Sequence, residues 1–62
     1  MKRNFFLKHL KLHNCVLARE GSKHSIFKNL GNNKATTVPR HADLNDITCR
    51  MICKQLEIPF VK

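Results

Sequence analysis

The 62-residue sequence predicts an α+β fold in the order α-β-β-β-α, with a three-stranded antiparallel sheet and two helices on one face. Three observations predict it. Apolar residues recur at helical spacing towards both ends of the chain, β-branched and apolar segments fill the middle, and clusters of Gly and Asn separate those segments. No internal repeat or linker divides the chain, so we expect residues 1–62 to form a single domain.

The first helix is predicted over residues 2–13. Three apolar residues recur at i, i+1 and i+4, as they do on one face of an amphipathic helix. They are Phe6, Leu7 and Leu10. Asn14 follows, and asparagine is the commonest residue after glycine in the left-handed conformation that ends many helices. His9 is expected on the polar side of this helix, in solvent.

The three strands are predicted from short segments between turn signals. Residues 15–19 form an apolar first strand, and residues 23–28 form the return strand of a hairpin. In the turn between them, Gly21 is free to adopt a positive φ. A second turn, rich in Asn and Gly, leads to the β-branched segment 35–38, which we interpret as the third strand.

Alternation along the second strand assigns its side chains to two faces. If Phe27 faces the core, Ser25 faces it too, whereas His24, Ile26 and Lys28 face outwards. An antiparallel sheet with helices on one face only can carry polar residues on the other. We therefore expect His24 and the positive charges to lie on the open face.

The last helix is predicted over about residues 45–57. Pro39 ends the third strand, Asp43 or Asn45 caps the helix, and Pro59 stops it. Its apolar stripe consists of Cys49, Ile52, Cys53 and Leu56, with Ile47 and Met51 beside it.

The positive charge is concentrated in the first two thirds of the chain. Residues 1–40 hold nine basic residues against Glu20 alone, whereas residues 41–62 hold three of each sign. A one-sided positive field favours nucleic acid or another polyanion as partner, since small basic domains bind phosphate backbones largely through charge. The alternative is a solvated basic surface that only keeps a small protein in solution.

The cysteines and acidic residues predict neither a metal nor another cofactor. Cys15, Cys49 and Cys53 cannot all pair within one chain, and an odd count without a dense framework is typical of free, buried thiols in a reducing compartment. No second Cys or His pair has the spacing of zinc ligands. The four carboxylates make no obvious Mg²⁺ cluster.

The start of the chain has the look of a signal peptide, with basic residues followed by three apolar ones. Lys8 ends this run, whereas the apolar region of a signal peptide needs roughly seven residues or more. No segment approaches the roughly 20 apolar residues of a membrane span. We therefore expect a cytoplasmic protein without membrane contact.

His24 is the candidate catalytic residue, in the sequence GSKH. Gly21 lets the backbone approach a ligand closely, Ser22 offers a hydroxyl, and Lys23 and Lys28 supply positive charge. RNA carries its own nucleophile, the 2′-hydroxyl, so that one imidazole titrating near neutral pH is enough to move a proton. Nearby cations stabilise the charge that builds on the phosphate. The alternative is an ordinary surface histidine.

His41 competes for this role, and Arg40 beside it is a plausible phosphate contact. The alternative for His41 is a loop residue that hydrogen-bonds the start of the last helix. The residues predicted to hold RNA are Arg19, Ser22, Lys23, Lys28, Lys34, Arg40 and His41.

Three motifs in order resemble the HicA family of toxin–antitoxin toxins, over about residues 2–58. They are GSKH, TTVPRH and DLNDITCRMICKQLEI. The resemblance implies a fold like that of double-stranded-RNA-binding domains and an mRNA interferase, a type II toxin that cleaves mRNA without a metal. His24 falls on the family's catalytic histidine, and residues 38–41 fall on its Val-Pro-Arg-His motif. The implied partner is a HicB-type antitoxin that blocks the active site.

The chain departs from the family pattern at three places near helix ends. Asn14 and Glu57 stand where glycine is usual, and the last helix reads Ile47-Thr48 where a Gly-Thr pair is common.

Two other functions stay open at this point. A non-catalytic, small basic RNA-binding module would tolerate the loss of His24 and depend on its lysines alone. A protein-interaction domain would use its basic face to dock an acidic partner, and its RNA binding would be incidental.

Overall fold

The computed structural model describes residues 1–61 and confirms the predicted order of elements. The strands form one antiparallel sheet in the order β1-β2-β3, so β2 is central and β1 and β3 are its edges. The elements are α1 (Arg3–Leu12), β1 (Cys15–Glu20), β2 (His24–Asn29), β3 (Ala35–Pro39) and α2 (Asp46–Leu56).

One hydrophobic cluster lies between the sheet and the two helices. Because both helices contribute buried side chains to it, they cover the same face of the sheet, as predicted. Its members are Phe6, Leu10, Cys15, Phe27, Val38, Leu44, Cys49, Ile52, Cys53 and Leu56. Ser25 and Phe27 are buried and His24 is exposed, which confirms the predicted alternation along β2.

Both helices are followed by a non-glycine residue in the left-handed region. Asn14 has φ 63° and Glu57 has φ 58°. These are the two positions at which the family that the sequence resembles usually has glycine, the residue that adopts this conformation most easily.

The predicted cap and the predicted end of α2 are both confirmed. Asn45 caps the helix, since its side-chain oxygen accepts a hydrogen bond from the backbone N–H of Ile47 at 2.8 Å. The helix ends at Leu56, within one residue of the predicted end, because the chain reverses at Glu57, two residues before Pro59. The proline follows a helix that has ended.

The segment between β3 and α2 is tied to the start of the chain. The backbone N–H of Leu44 donates to the carbonyl of Met1 at 2.7 Å, and the N–H of Arg3 donates to the carbonyl of Ala42 at 2.9 Å. These bonds fix the path of the chain just beyond Arg40.

His9 is half-buried, in contrast to the solvated position expected for it. Its Nε2–H donates to the carbonyl oxygen of Pro59 at 2.7 Å, and its ring centroid lies 4.6 Å from that of His13. A carbonyl from the end of the chain therefore replaces water at this histidine.

Among residues 1–61, no helix is both long and apolar enough to cross a bilayer.

Candidate active site

The turn between β1 and β2 places His24 at the start of its strand. The backbone N–H of Gly21 donates to the carbonyl of His24 at 2.8 Å and closes the turn. A Cβ at Gly21 would lie 2.7 Å from that carbonyl oxygen, so that a larger residue would push the strand ends apart. The φ of Gly21 is not positive, contrary to expectation. Glycine is required here for the close approach of two backbones.

His24 is exposed at the meeting point of two shallow depressions. One lies on the open sheet face, and the other runs between β3 and α2, where it includes Thr37 and Thr48. His24 pairs with Pro39 across the β2–β3 ladder, and on the other side its carbonyl accepts from the N–H of Gly21, so its backbone is held from both sides. Within residues 1–61 its imidazole makes no hydrogen bond, so both ring nitrogens are available to a ligand.

A polar network centred on the buried Ser25 lies directly behind His24. Ser25 is 1% exposed, donates from Oγ to Glu20 Oε1 at 2.5 Å and accepts from Arg3 Nη2 at 3.0 Å. Arg3 also donates from Nε to the carbonyl of Pro39 at 2.9 Å. The network thus joins the end of β1, the start of β2 and the end of β3. Since Ser25 follows His24 and Pro39 pairs with it, the network fixes the backbone that carries the imidazole.

Arg40 connects this network to the turn. Its Nη1 donates to the carbonyl of Gly21 at 3.1 Å, and its Nε lies 3.7 Å from Glu20 Oε1. The Arg40 side chain is still 48% exposed. A guanidinium has five N–H donors, so Arg40 can hold the turn and retain donors for an anion.

The structure brings the predicted contacts at the turn together. Arg19, Ser22 and Lys23 line the open-face depression with His24, and Arg40 reaches the same turn. His41 follows Arg40 and is exposed. It makes no hydrogen bond to the start of α2 within residues 1–61, where Asn45 provides the cap instead.

The other two predicted lysines lie farther away along the sheet. Lys28 is on the same face as His24, four residues along β2, which corresponds to about 13 Å. Lys34 lies at the opposite end of the sheet, where its carbonyl accepts from the N–H of Asn29 at 2.8 Å. Its ammonium group is 3.7 Å from the Glu57 carboxylate. The structure therefore does not bring Lys34 to the histidine.

The three cysteines are free and buried, as predicted, and they lie in the core on the other side of the sheet. Burial raises the pKa of Cys53 to about 11 and raises the pKa of the Cys15 and Cys49 thiols as well. These thiols are therefore protonated at neutral pH. Among residues 1–61, no three His, Cys, Asp or Glu side chains form a group that could hold a metal ion.

The sequence analysis missed the roles of Arg3, Glu20 and Ser25. Arg3 and Ser25 are 22 residues apart, and no local pattern indicates that they touch. One signal was present at Glu20, the only acidic residue among the first 40, placed directly before the turn. A single carboxylate among many cations, next to a tight turn, predicts an internal partner.

The comparisons with known proteins agree with this architecture. The family model described as the HicA toxin of bacterial toxin–antitoxin systems matches residues 5–58, from α1 to just beyond α2. Neither the comparison with curated proteins nor that with solved structures gave a match. The matched region includes the turn, His24 and Arg40. The chain therefore belongs to the family of HicA toxins of bacterial toxin–antitoxin systems.

Proposed function

We propose that this toxin is a metal-independent endoribonuclease that cleaves mRNA and uses His24 as its catalytic residue. One observation carries the proposal. Within residues 1–61 the His24 imidazole is exposed and makes no hydrogen bond, yet its backbone is held by the network around the buried Ser25, Arg19 and Lys23 line the same depression, and Arg40 reaches the adjacent turn. A mobile surface histidine would have no such support.

The proposed reaction is an internal displacement within the RNA chain. The 2′-oxygen attacks the adjacent phosphorus, the bond from phosphorus to the 5′-oxygen breaks, and the products are a 2′,3′-cyclic phosphate and a 5′-hydroxyl. His24 either removes the 2′ proton or donates a proton to the leaving 5′-oxygen. His41, close behind Arg40 in the chain, is a secondary contributor.

The cations of the turn stabilise the charge that develops on the phosphate. Arg40 is suited to this role, because its guanidinium is already oriented by the carbonyl of Gly21 and by Glu20. Ser22 offers a hydroxyl to the same phosphate. Lys28 and Lys34 contact the RNA backbone farther from the phosphate that is cleaved.

The proposed setting is a cytoplasmic type II system in which a HicB-type antitoxin silences the toxin. Since His24 is exposed, a protein that covers the open end of the sheet would exclude RNA from it. The positive charge of the toxin favours an acidic inhibitor at the same surface.

The test is cleavage of a mixed RNA in EDTA by the wild type, His24→Ala and a control, His13→Ala. We expect the wild type and the control to cut, and His24→Ala to be slower by about a hundredfold or more. Circular dichroism checks that all three are folded.

A folded His24→Ala that cuts as fast as the wild type contradicts the role of His24. Cleavage that appears only when Mg²⁺ replaces EDTA contradicts metal independence. If the wild type binds RNA and never cuts it, the chain is a binding module.

A further inference from the structure

An apolar groove runs between α1 and the outer edge of β1, away from His24. Its lining residues are Leu7, Lys11, Cys15, Val16, Leu17 and Phe27. Leu17 pairs with Phe27 and points to the core side of the sheet, yet it is 51% exposed. The apolar side chain of Leu17 is therefore open to solvent beside the buried Cys15 and Phe27.

The same edge offers unpaired backbone groups. The N–H of Leu30 donates to the carbonyl of Asn14 at 3.0 Å, and Val16 pairs with Lys28. In an antiparallel ladder this register turns the backbone groups of Val16 towards β2 and those of Cys15 and Leu17 outwards. No other strand within residues 1–61 pairs with this edge of β1. An apolar, uncovered edge strand is a site for strand addition.

A bulge limits how far an added strand can pair. The β1–β2 register shifts between Leu17 and Arg19, which leaves Ala18 as the extra residue. Such a bulge bends and twists the strand and interrupts regular pairing. The usable edge is therefore the short segment Cys15–Leu17, with the exposed Leu17 side chain at its end.

The charge around the groove indicates which partner fits. Lys11 lines the groove, and Lys8 lies on the exposed side of α1. Glu20 is the acidic residue nearest in sequence to the groove, and its carboxylate accepts a hydrogen bond from Ser25. A second copy of this chain would bring like charges together. RNA would gain little from an apolar floor. An apolar protein segment with acidic neighbours matches both the floor and the rim.

We infer that this groove anchors an extended, acidic-flanked segment of the antitoxin, which adds as a fourth strand beside β1 and packs an apolar side chain against Leu17. The inference rests on the antitoxin being the partner of this toxin. It assigns that partner a second contact, separate from the His24 site. Arg19 connects the two, because it follows the bulge and also lines the depression at His24. A chain anchored beside Leu17 can thus continue towards the imidazole.

The test measures the affinity of the purified toxin for a purified HicB-type antitoxin, with Leu17→Glu compared with Leu30→Glu. Both leucines are about half exposed, at 51% and 59%, but Leu30 lies in the turn after β2. We expect Leu17→Glu to bind at least about tenfold more weakly, since it removes the apolar anchor and repels an acidic segment. We expect Leu30→Glu to bind like the wild type.

Lys11→Glu is the second variant, and it tests the inferred antitoxin contact if Leu17→Glu fails to fold. It reverses a charge on the exposed side of α1, and we expect it to weaken antitoxin binding several-fold. Hydrogen exchange of the wild-type complex gives an independent readout. The amides of Cys15 and Leu17, open in the free toxin, should become protected.

Three results would overturn the inference. The first is equal antitoxin affinity for the wild type and both groove variants. The second is a dimer of the free toxin that Leu17→Glu dissociates, which would make a second copy the occupant. The third is a loss of RNA binding in Leu17→Glu, which would make the groove part of the RNA surface. All three results can be distinguished from a failure of the proposed nuclease function, which is tested by RNA cleavage with His24→Ala.

Discussion

At one end of β2 the buried Asn29 serves only the fold, whereas at the other end the buried Ser25 supports an exposed histidine. Asn29 donates from Nδ2 to the carbonyl of Leu56 at 2.8 Å and accepts from the N–H of Gly31 at 2.8 Å. One side chain thus joins the second turn to the end of α2.

At the other end of β2, the buried polar side chain lies next to an exposed histidine. Ser25 also bridges two elements, but its neighbour in the strand is His24, and its partner Glu20 is linked to Arg40. Because side chains alternate along a strand, a buried anchor and an exposed reactive group are adjacent in sequence and lie on opposite faces. The comparison teaches that a small sheet can hold an exposed histidine from behind without enclosing it.

The largest effect on stability is expected at Asn29. Asn29→Ala removes two side-chain hydrogen bonds in a buried site, and we expect the free energy of unfolding to fall by about 2 kcal/mol or more. That is a large share of the stability of a 62-residue domain. Urea denaturation measures the change. Cleavage per folded molecule should stay at the wild-type rate. A loss of cleavage in the folded variant would show that the two ends are not independent.

Ser25→Ala is expected to lower stability less than Asn29→Ala does and to lower the rate of cleavage more. It leaves Glu20 and Arg3 without their shared hydroxyl, at a cost of about 1 kcal/mol in unfolding free energy. Because the backbone of His24 loses its support, we expect kcat to fall several-fold while KM for RNA stays nearly constant. Steady-state cleavage of a short RNA measures both constants. If Asn29→Ala and Ser25→Ala lower kcat equally, the loss reflects general destabilisation of the fold and not a specific effect at His24.

The smallest effect is expected at Glu57, where the left-handed conformation of a non-glycine residue is unfavourable. Glu57→Gly should raise the free energy of unfolding by about 0.5 kcal/mol, since glycine adopts this φ without strain. The exposed ion pair to Lys34 that it removes contributes little. Glu57→Ala is the matched control. It loses the same ion pair and keeps the strain, so that thermal unfolding should show no gain. A gain in both variants would assign the effect to the ion pair.

The sequence was sufficient for whatever depends on neighbours along the chain. The alternation that buries Ser25 and exposes His24, the cap at Asn45 and the order of elements all follow from spacing and turn residues. These features are local, and their physical causes act over a few residues. The left-handed Asn14 was predicted for the same reason.

The sequence was insufficient wherever distant segments meet. The contact of Arg3 with Ser25, the contact of His9 with Pro59 and the ion pair of Lys34 all join residues far apart in the chain. Charge alone made Lys34 look like a partner of RNA equal to Lys23. Only the sheet register shows that they lie at opposite ends.

The close approach at Gly21 has a consequence for the evolution of such toxins. One added methyl group, 2.7 Å from the carbonyl oxygen of His24, would disturb the histidine while leaving the helices and their shared core intact. If His24 is the catalytic residue, as proposed, a gene copy can lose its activity by a single substitution and still encode a folded chain. A chain that keeps the proposed groove beside Leu17 would then compete for the antitoxin, and this inactive copy would release active toxins from inhibition.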